Sequence, residues 1–113
     1  MKFGVESVVD GSVTTLAVSG EVDIETSPGL RSGIEKSLAP DRHLIVDLTQ
    51  VHFMDSTGLG VLVGGLNRAR QVGASLSVVC VNTRVLKLFE MTGLLQTFAI
   101  HPTLSEAIAA TGT

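Results

Sequence analysis

Two adjacent hydroxyl residues follow a carboxylate in the middle of the chain, in the run Asp55-Ser56-Thr57-Gly58. A hydroxyl oxygen can act as a nucleophile when a base activates it, or it can accept a phosphate group. The run directly precedes a stretch with helical periodicity, and the N-terminus of a helix stabilises negative charge such as a phosphate. Asp and Ser are also preferred helix caps, so either Asp55 or Ser56 could have a purely structural role.

The signatures of several enzyme classes do not fit this hydroxyl pair. A nucleophile elbow needs Gly-x-Ser-x-Gly, but Met54 stands two residues before Ser56. A dinucleotide fingerprint lacks its third glycine, because that position is Val63, and no P-loop lysine is present. We therefore predict that the chain is not an enzyme. A serine hydrolase that uses Ser56 with His52 as base remains a less favoured alternative.

Composition argues against metals, nucleic acid and membranes as partners. Cys80 is the only cysteine, and none of the histidines 43, 52 and 101 shows the i,i+4 spacing of a helical metal site, so we predict no metal and no cofactor. The formal net charge is −3 and the basic residues form no run, which argues against nucleic-acid binding. No uncharged stretch reaches the roughly 18–20 residues of a membrane span, and the N-terminus lacks the apolar core of a signal peptide. We expect a cytoplasmic protein.

The elements that must position the hydroxyl pair alternate along a chain whose length fits one domain, 1–113. Alternating and β-branched patterns predict strands at 3–9, 13–19, 44–48, 76–81 and 98–100. Capping signals and apolar stripes predict helices at 28–38, 57–72, 83–92 and 104–110, with Ser27 as the first N-cap. Asp10-Gly11 predicts a type I′ hairpin turn between the first two strands. The order indicates an α/β fold with a mixed, mostly parallel sheet of four to five strands and about four helices.

The helix that follows the hydroxyl pair is unusually rich in glycine, and each glycine inside a helix costs about 1 kcal/mol relative to alanine. Helical geometry predicts a core face made of Leu59, Leu62, Val63, Leu66 and Ala69. It predicts an opposite face made of Gly60, Val61, Gly64, Arg68 and Gln71. Either the glycines allow helices to pack closely inside the domain, or they let the backbone of a partner come close. We interpret the second face as a docking surface.

The chain resembles the bacterial STAS-domain anti-sigma factor antagonists over nearly its whole length. The middle of three motifs is the most specific, and the three are Gly20-Glu21-Val22-Asp23, the run 53–62 (Phe-Met-Asp-Ser-Thr-Gly-Leu-Gly-Val-Leu) and the run 86–94 (Leu-Lys-Leu-Phe-Glu-Met-Thr-Gly-Leu). The resemblance implies a single STAS domain whose helices pack on one side of a mixed sheet. It also implies a partner-switching regulator of transcription.

In such a switch, the unphosphorylated protein binds an anti-sigma factor that is also an ATP-dependent serine kinase, and the sigma factor is released. The resemblance implies that the kinase phosphorylates Ser56, that the phosphorylated form dissociates, and that a PP2C-type phosphatase resets it. Thr57 remains a second possible acceptor. The expected partner-binding residues lie in the 19–23 turn and around the hydroxyl pair: Ser19, Gly20, Glu21, Asp23, Asp55, Thr57, Gly58, Leu59, Gly60, Val61 and Gly64. The alternative within the family is a STAS scaffold subunit of a sensory complex without sigma control.

Overall fold

The computed structural model describes residues 2–112, and its strands and helices follow one another in the predicted order. The strands are β1 (Gly4–Asp10), β2 (Val13–Val22), β3 (His43–Met54), β4 (Ser75–Val79) and β5 (Ala99–His101). The helices are α1 (Ser27–Ser37), α2 (Ser56–Val72), α3 (Thr83–Met91) and α4 (Leu104–Ala110). The predicted α/β class is confirmed.

The strands form one five-stranded sheet in the order β1-β2-β3-β4-β5. β1 runs antiparallel to β2, whereas the β2–β3, β3–β4 and β4–β5 pairs are parallel. This mixed, mostly parallel arrangement is the predicted one. Each parallel pair is joined through a helix, as the parallel connection requires.

The opening hairpin differs from the prediction by one residue. Asp10 pairs with Val13, so the two central residues of the turn are Gly11 and Ser12. Only Gly11 of these has a positive φ, at 61°. Glycine with positive φ at the first central position is the pattern of a type II′ turn, so the type I′ turn centred on Asp10-Gly11 is wrong.

The helices do not all pack on one side of the sheet. The main core lies between the sheet and α1, α2 and α3, but Ala107 of α4 packs with Val13, Ile45 and Val79 in a second cluster. Ile45 points to the opposite face from its neighbours in β3, and this face also needs a cover. The expectation of one-sided packing is therefore wrong for α4, because the central strands are apolar on both faces.

The two strands that lead to the hydroxyl pair are longer than predicted. β2 continues to Val22 and β3 to Met54, so most of the expected 20–23 turn is strand. The register between β2 and β3 shifts on both sides of Ser19–Gly20. Gly20 has φ 89°, and a Cβ there would lie 2.8 Å from the backbone nitrogen of Phe3, so only glycine fits. These strand ends contain polar residues, so the apolar pattern of the sequence did not predict them. Pairing between β2 and β3 stabilises them in the folded chain.

The helix ends mostly follow the capping signals. Asn82 caps α3 through the N–H of Arg84, and Gly93 ends the helix in a left-handed conformation with the Leu94 N–H donating to the Phe89 carbonyl, as in a Schellman motif. Thr103 accepts a hydrogen bond from the N–H of Glu106 at 3.2 Å. For α1 the N-cap position is Thr26 and not Ser27, so that prediction is wrong by one residue.

Candidate functional site

The ends of β2 and β3 bring two sequence motifs together at one edge of the sheet. Glu21 pairs with Phe53 and Val22 with Met54. Beyond these pairs the Asp55 N–H donates a 3.1 Å hydrogen bond to the Val22 carbonyl. The segment that ends in Asp23 therefore lies beside the start of α2, where the hydroxyl pair is located.

Asp55 is the cap of α2. One of its carboxylate oxygens, Oδ1, accepts hydrogen bonds from the N–H groups of Thr57 at 2.9 Å and Gly58 at 3.3 Å. Ser56 is then the first residue of the helix. The sequence left Asp55 and Ser56 as alternative caps, and the structure assigns the capping role to Asp55.

The two neighbouring hydroxyls have different environments. The Thr57 hydroxyl donates to the same Oδ1 of Asp55 that caps the helix. The Ser56 side chain is exposed and forms no hydrogen bond with any residue between 2 and 112. Thr57 is thus part of the local structure of the helix start, whereas Ser56 presents an uncommitted hydroxyl to the outside.

The carboxyl group of Asp55 is stabilised in its charged form. The hydrogen bond from the Thr57 hydroxyl is the largest cause of a pKa below the ordinary value of this side chain. Partial burial opposes this effect, while the N–H groups of Gly58 and Thr57 add to it. Asp55 is consequently a carboxylate at neutral pH, next to the Ser56 hydroxyl and at the positive end of the α2 dipole.

The turn that follows β2 is locked by a second aspartate. Asp23 Oδ1 accepts from the N–H groups of Glu25 at 2.9 Å and Thr26 at 3.1 Å, and the Thr26 hydroxyl donates to the Glu21 carbonyl at 2.8 Å. None of the carboxylates of Glu21, Asp23 and Asp55 forms an ion pair within residues 2–112. This edge of the sheet therefore carries uncompensated negative charge around Ser56.

The four glycines of α2 divide into two pairs with different roles. A Cβ at Gly58 would lie 2.7 Å from Val22 Cγ1, and one at Gly65 would lie 3.0 Å from Ile34 Cγ2. These two glycines allow α2 to approach the strand ends and α1. A Cβ at Gly60 or Gly64 would meet no atom within 4 Å. Packing inside the domain thus explains Gly58 and Gly65, while Gly60 and Gly64 leave an open surface.

The open glycines line a groove of about 610 Å³ between α1 and α2. Arg31 and Glu35 of α1 and Arg68 of α2 also line it. The groove has a smooth floor at the glycines and charged groups around it. This combination fits the docking surface, which stays a prediction.

The outward face of α2 is narrower than the helical wheel indicated. Val61, which was placed on that face, is only 6% exposed, and Leu59 is buried as well. Gly20 and Gly58 are also buried. The placement of Val61 is wrong because α2 packs against α1 as well as the sheet, which widens its buried face. Ser19, Glu21, Asp23 and the open glycines keep at least part of their surface accessible.

Two apolar side chains at this edge were not singled out from the sequence. Ile24 is 73% exposed in the turn after Asp23, and Phe53 is 47% exposed at the end of β3. An isoleucine between charged residues in a predicted turn is a signal that could have identified Ile24. Phe53 stands inside the most specific motif but was not among the expected contact residues.

The serine-hydrolase alternative receives no support from the geometry, and the described residues show neither a metal cluster nor a membrane-spanning helix. His52 and Ser56 share no hydrogen bond, so His52 is not placed to act as a base toward this hydroxyl. In the part of the chain from residue 2 to residue 112, no cluster of three or more His, Cys, Asp or Glu side chains is placed to hold a metal ion. None of the helices in this part combines the length and the apolar character needed to cross a membrane.

Comparison with known proteins identifies relatives along most of the chain. Residues 5–107 match the family model of the STAS domain. The anti-sigma-B factor antagonist of Listeria monocytogenes is 40% identical over 78 residues, which are 68% of either chain. The protein of the same name from Staphylococcus aureus is 36% identical over 99 residues, covering 83% of this chain and 88% of the relative. The crystal structure of an anti-sigma factor antagonist from Mycobacterium paratuberculosis superposes with a TM-score of 0.90 at 28% identity, covering 99% of this chain and 96% of that one.

Proposed function

We propose a phosphorylation-controlled binding function for this chain, which belongs to the STAS-domain family of anti-sigma factor antagonists. In its unphosphorylated form it binds an anti-sigma factor that is also a serine kinase, and the sigma factor held by that kinase is released. Phosphorylation of Ser56 ends the binding. A PP2C-type phosphatase removes the phosphate and restores the active form.

The observation that carries this proposal is the contrast between the two hydroxyls at the start of α2. The Ser56 hydroxyl is exposed and has no hydrogen-bond partner within residues 2–112, whereas the Thr57 hydroxyl is bound to Asp55. A kinase can reach the first hydroxyl without breaking any contact. Transfer to Thr57 would first remove the hydrogen bond that holds the cap, so the geometry favours Ser56 as acceptor.

The fold can tolerate a phosphate at this position. The Ser56 side chain points away from the core, so three additional oxygens displace only solvent. The N-terminus of a helix favours negative charge, which offsets part of the repulsion from Asp55. We therefore expect phosphorylation to change binding and to leave the domain folded.

The switch follows from covering like charges with a partner. A phosphate adds about −1.5 to −2 charges next to the carboxylate of Asp55. A pair of like unit charges about 4 Å apart costs about 1 kcal/mol in water and about 4 kcal/mol at an effective dielectric constant of 20, as near a partner surface. The repulsion is therefore about 3 kcal/mol per pair stronger in the complex than in the free chain, and this difference destabilises the complex. It corresponds to a loss of affinity of roughly 100-fold.

A phosphorylation assay with matched variants tests this proposal. The chain is incubated with its cognate anti-sigma factor kinase and Mg²⁺-ATP, and phosphate is located by mass spectrometry. We expect phosphate on Ser56 in the native protein and in Thr57→Val, and none in Ser56→Ala. Phosphate on Thr57, or elsewhere with Ser56 unmodified, would contradict the assignment of the acceptor.

Calorimetry on the same partner then tests the electrostatic switch. Ser56→Ala should bind the kinase as the native chain does, because it removes only an uncommitted hydroxyl. Ser56→Asp and Ser56→Glu should bind more weakly, by at least about tenfold for one added charge. Equal affinities for all these variants would refute repulsion as the cause of release.

A further inference from the structure

We infer that Ile24 and Phe53 form an apolar anchor pair on this chain, and that the partner covers them with an apolar pocket rimmed by Arg or Lys side chains. This inference rests on the proposed function, because it describes the chemistry of the partner surface that covers Ser56 in the complex. It concerns residues other than the phosphoacceptor and the open glycines of α2. It also predicts what the partner must offer.

The exposure of the anchor pair is unusual for these side chains. Ile24 is 73% exposed and Phe53 is 47% exposed, although isoleucine and phenylalanine are among the residues most often buried. Single exposed apolar residues are common on protein surfaces. Ile24 and Phe53, however, lie at the same edge of the sheet as the uncommitted hydroxyl of Ser56. Hot spots of protein interfaces are built from such anchors, which insert into pockets of the partner.

The turn that carries Ile24 is rigid. Asp23 Oδ1 accepts hydrogen bonds from the N–H groups of Glu25 and Thr26 at 2.9 and 3.1 Å, and the Asp23 carbonyl accepts a 2.8 Å hydrogen bond from the Ser27 N–H. The exposed position of Ile24 is therefore fixed by its neighbours and does not result from a loose loop. A preorganised apolar side chain loses little conformational freedom on binding, which favours its use as an anchor.

Both members of the anchor pair lie within one interface footprint. Phe53 pairs with Glu21, and Ile24 follows this pair by three residues along β2 and its turn. With strands about 4.8 Å apart and a rise of about 3.3 Å per residue, the two Cα atoms are separated by at most about 15 Å. An ordinary interface covers about 800 Å² on each partner, which is wide enough to include both side chains and Ser56.

The charges around the anchor pair select the kind of partner. Glu21, Asp23, Glu25 and Asp55 form no ion pair with any residue of the described chain. A second copy of the chain would bring like carboxylates face to face, which opposes self-association through this edge. A partner with Arg or Lys side chains around its pocket would compensate these charges and would be steered toward the anchor pair.

Kinetics of Ser56 phosphorylation test the inference. With the cognate kinase and Mg²⁺-ATP, the KM for this chain should rise at least about tenfold in Ile24→Ser and Phe53→Ser, while kcat stays unchanged, because docking is weakened and the hydroxyl is not. Ile24→Val should recover most of the native KM. Val8→Ser is the matched control, since Val8 is 61% exposed on β1, away from this edge. Thermal unfolding confirms that each variant is folded.

The outcomes separate the inference from the function on which it rests. Native KM values in both serine variants, with Ser56 still phosphorylated, would overturn the anchor pair and leave the proposed switch intact. Failure of the cognate kinase to modify Ser56 in the native chain would overturn both. A concentration-dependent dimer in sedimentation that Ile24→Ser abolishes would assign the anchor pair to self-association and overturn the basic partner. A KM for the native chain that does not rise between 0.05 and 0.3 M salt would also contradict the basic rim.

Discussion

Removal of the Asp55 carboxylate should destabilise the domain through α2, because this side chain holds the start of the longest helix. Its Oδ1 accepts from the N–H groups of Thr57 and Gly58 and from the Thr57 hydroxyl. Replacing a capping aspartate by alanine costs about 0.5–2 kcal/mol. Since three donors share this one oxygen, we expect Asp55→Ala to lie in the upper half of that range, at about 1–2 kcal/mol. For a domain of this size that corresponds to a fall in Tm of about 4–8 °C.

Asp55→Asn separates the cap from the charge. Asparagine caps helices about as well as aspartate does, so this variant keeps the hydrogen bonds from the backbone and loses only the interaction of the charge with the helix dipole, about 0.3–1 kcal/mol. At neutral pH the expected order of stability is native, then Asp55→Asn, then Asp55→Ala. Glu6→Gln is the control for loss of charge alone, because Glu6 is exposed on β1.

The pH dependence follows from the direction of the Asp55 pKa. The folded protein holds this pKa below the ordinary value of about 3.9, so the unfolded chain takes up the proton first as the pH falls. The contribution of the carboxylate is complete well above pH 3.9 and is lost as the pH falls through the lower folded value. The stabilities of the native protein and Asp55→Asn should therefore converge in that acidic window.

Urea unfolding from pH 7 to pH 2.5 measures these differences, and an NMR titration of the Asp55 carboxyl carbon measures its pKa directly. Thr57→Val removes the largest cause of the shift and should raise the pKa toward the ordinary value. Equal stability of Asp55→Ala, Asp55→Asn and the native protein at pH 7 would refute the capping argument. A pKa that does not move in Thr57→Val would refute the role of the Thr57 hydroxyl.

Two further predictions use the glycines of α2 and the single cysteine. Gly58→Ala places a Cβ 2.7 Å from Val22 Cγ1 and should destabilise the domain by about 1–3 kcal/mol. In Gly60→Ala the new Cβ meets open space, so this variant should stabilise the domain by about 0.5–1 kcal/mol. Gly60→Ala should also weaken partner binding, as measured by calorimetry. If Gly60→Ala binds the partner with native affinity, Gly60 does not belong to the docking surface. Burial raises the pKa of the Cys80 thiol, so it should stay unreactive toward a disulfide reagent at pH 8 and react fully in guanidinium chloride. Fast labelling of the native protein would contradict the burial of this thiol.

The sequence predicted those features of the fold that depend on neighbouring residues. The order of strands and helices follows from such local signals, and the structure confirms it. The stop of α3 at Gly93 and its cap at Asn82 are local features of the same kind. The sheet was predicted as mixed and mostly parallel because single helices connect its strands. Errors arose where a distant partner decides, as with the length of β2, the cover provided by α4 and the buried side of Val61.

The candidate site shows the same division. The run from Asp55 to Thr57 marks the position of two adjacent hydroxyls, and residue types alone leave both as candidates for the proposed phosphate acceptor. Only the folded chain distinguishes them, because the capping carboxylate binds the Thr57 hydroxyl and leaves that of Ser56 without a partner in residues 2–112. Likewise, four glycines look equivalent along α2, but Val22 and Ile34 lie across from Gly58 and Gly65 and no atom lies across from Gly60 and Gly64.

The sequence by itself therefore determined which elements form and where the two adjacent hydroxyls stand, because propensity, capping and periodicity act between residues close in the chain. The tertiary structure decided which hydroxyl is uncommitted, which glycines face outward and which acids surround Ser56. These properties depend on atoms that only the pairing of β2 with β3 and the packing of α2 on α1 bring within contact distance.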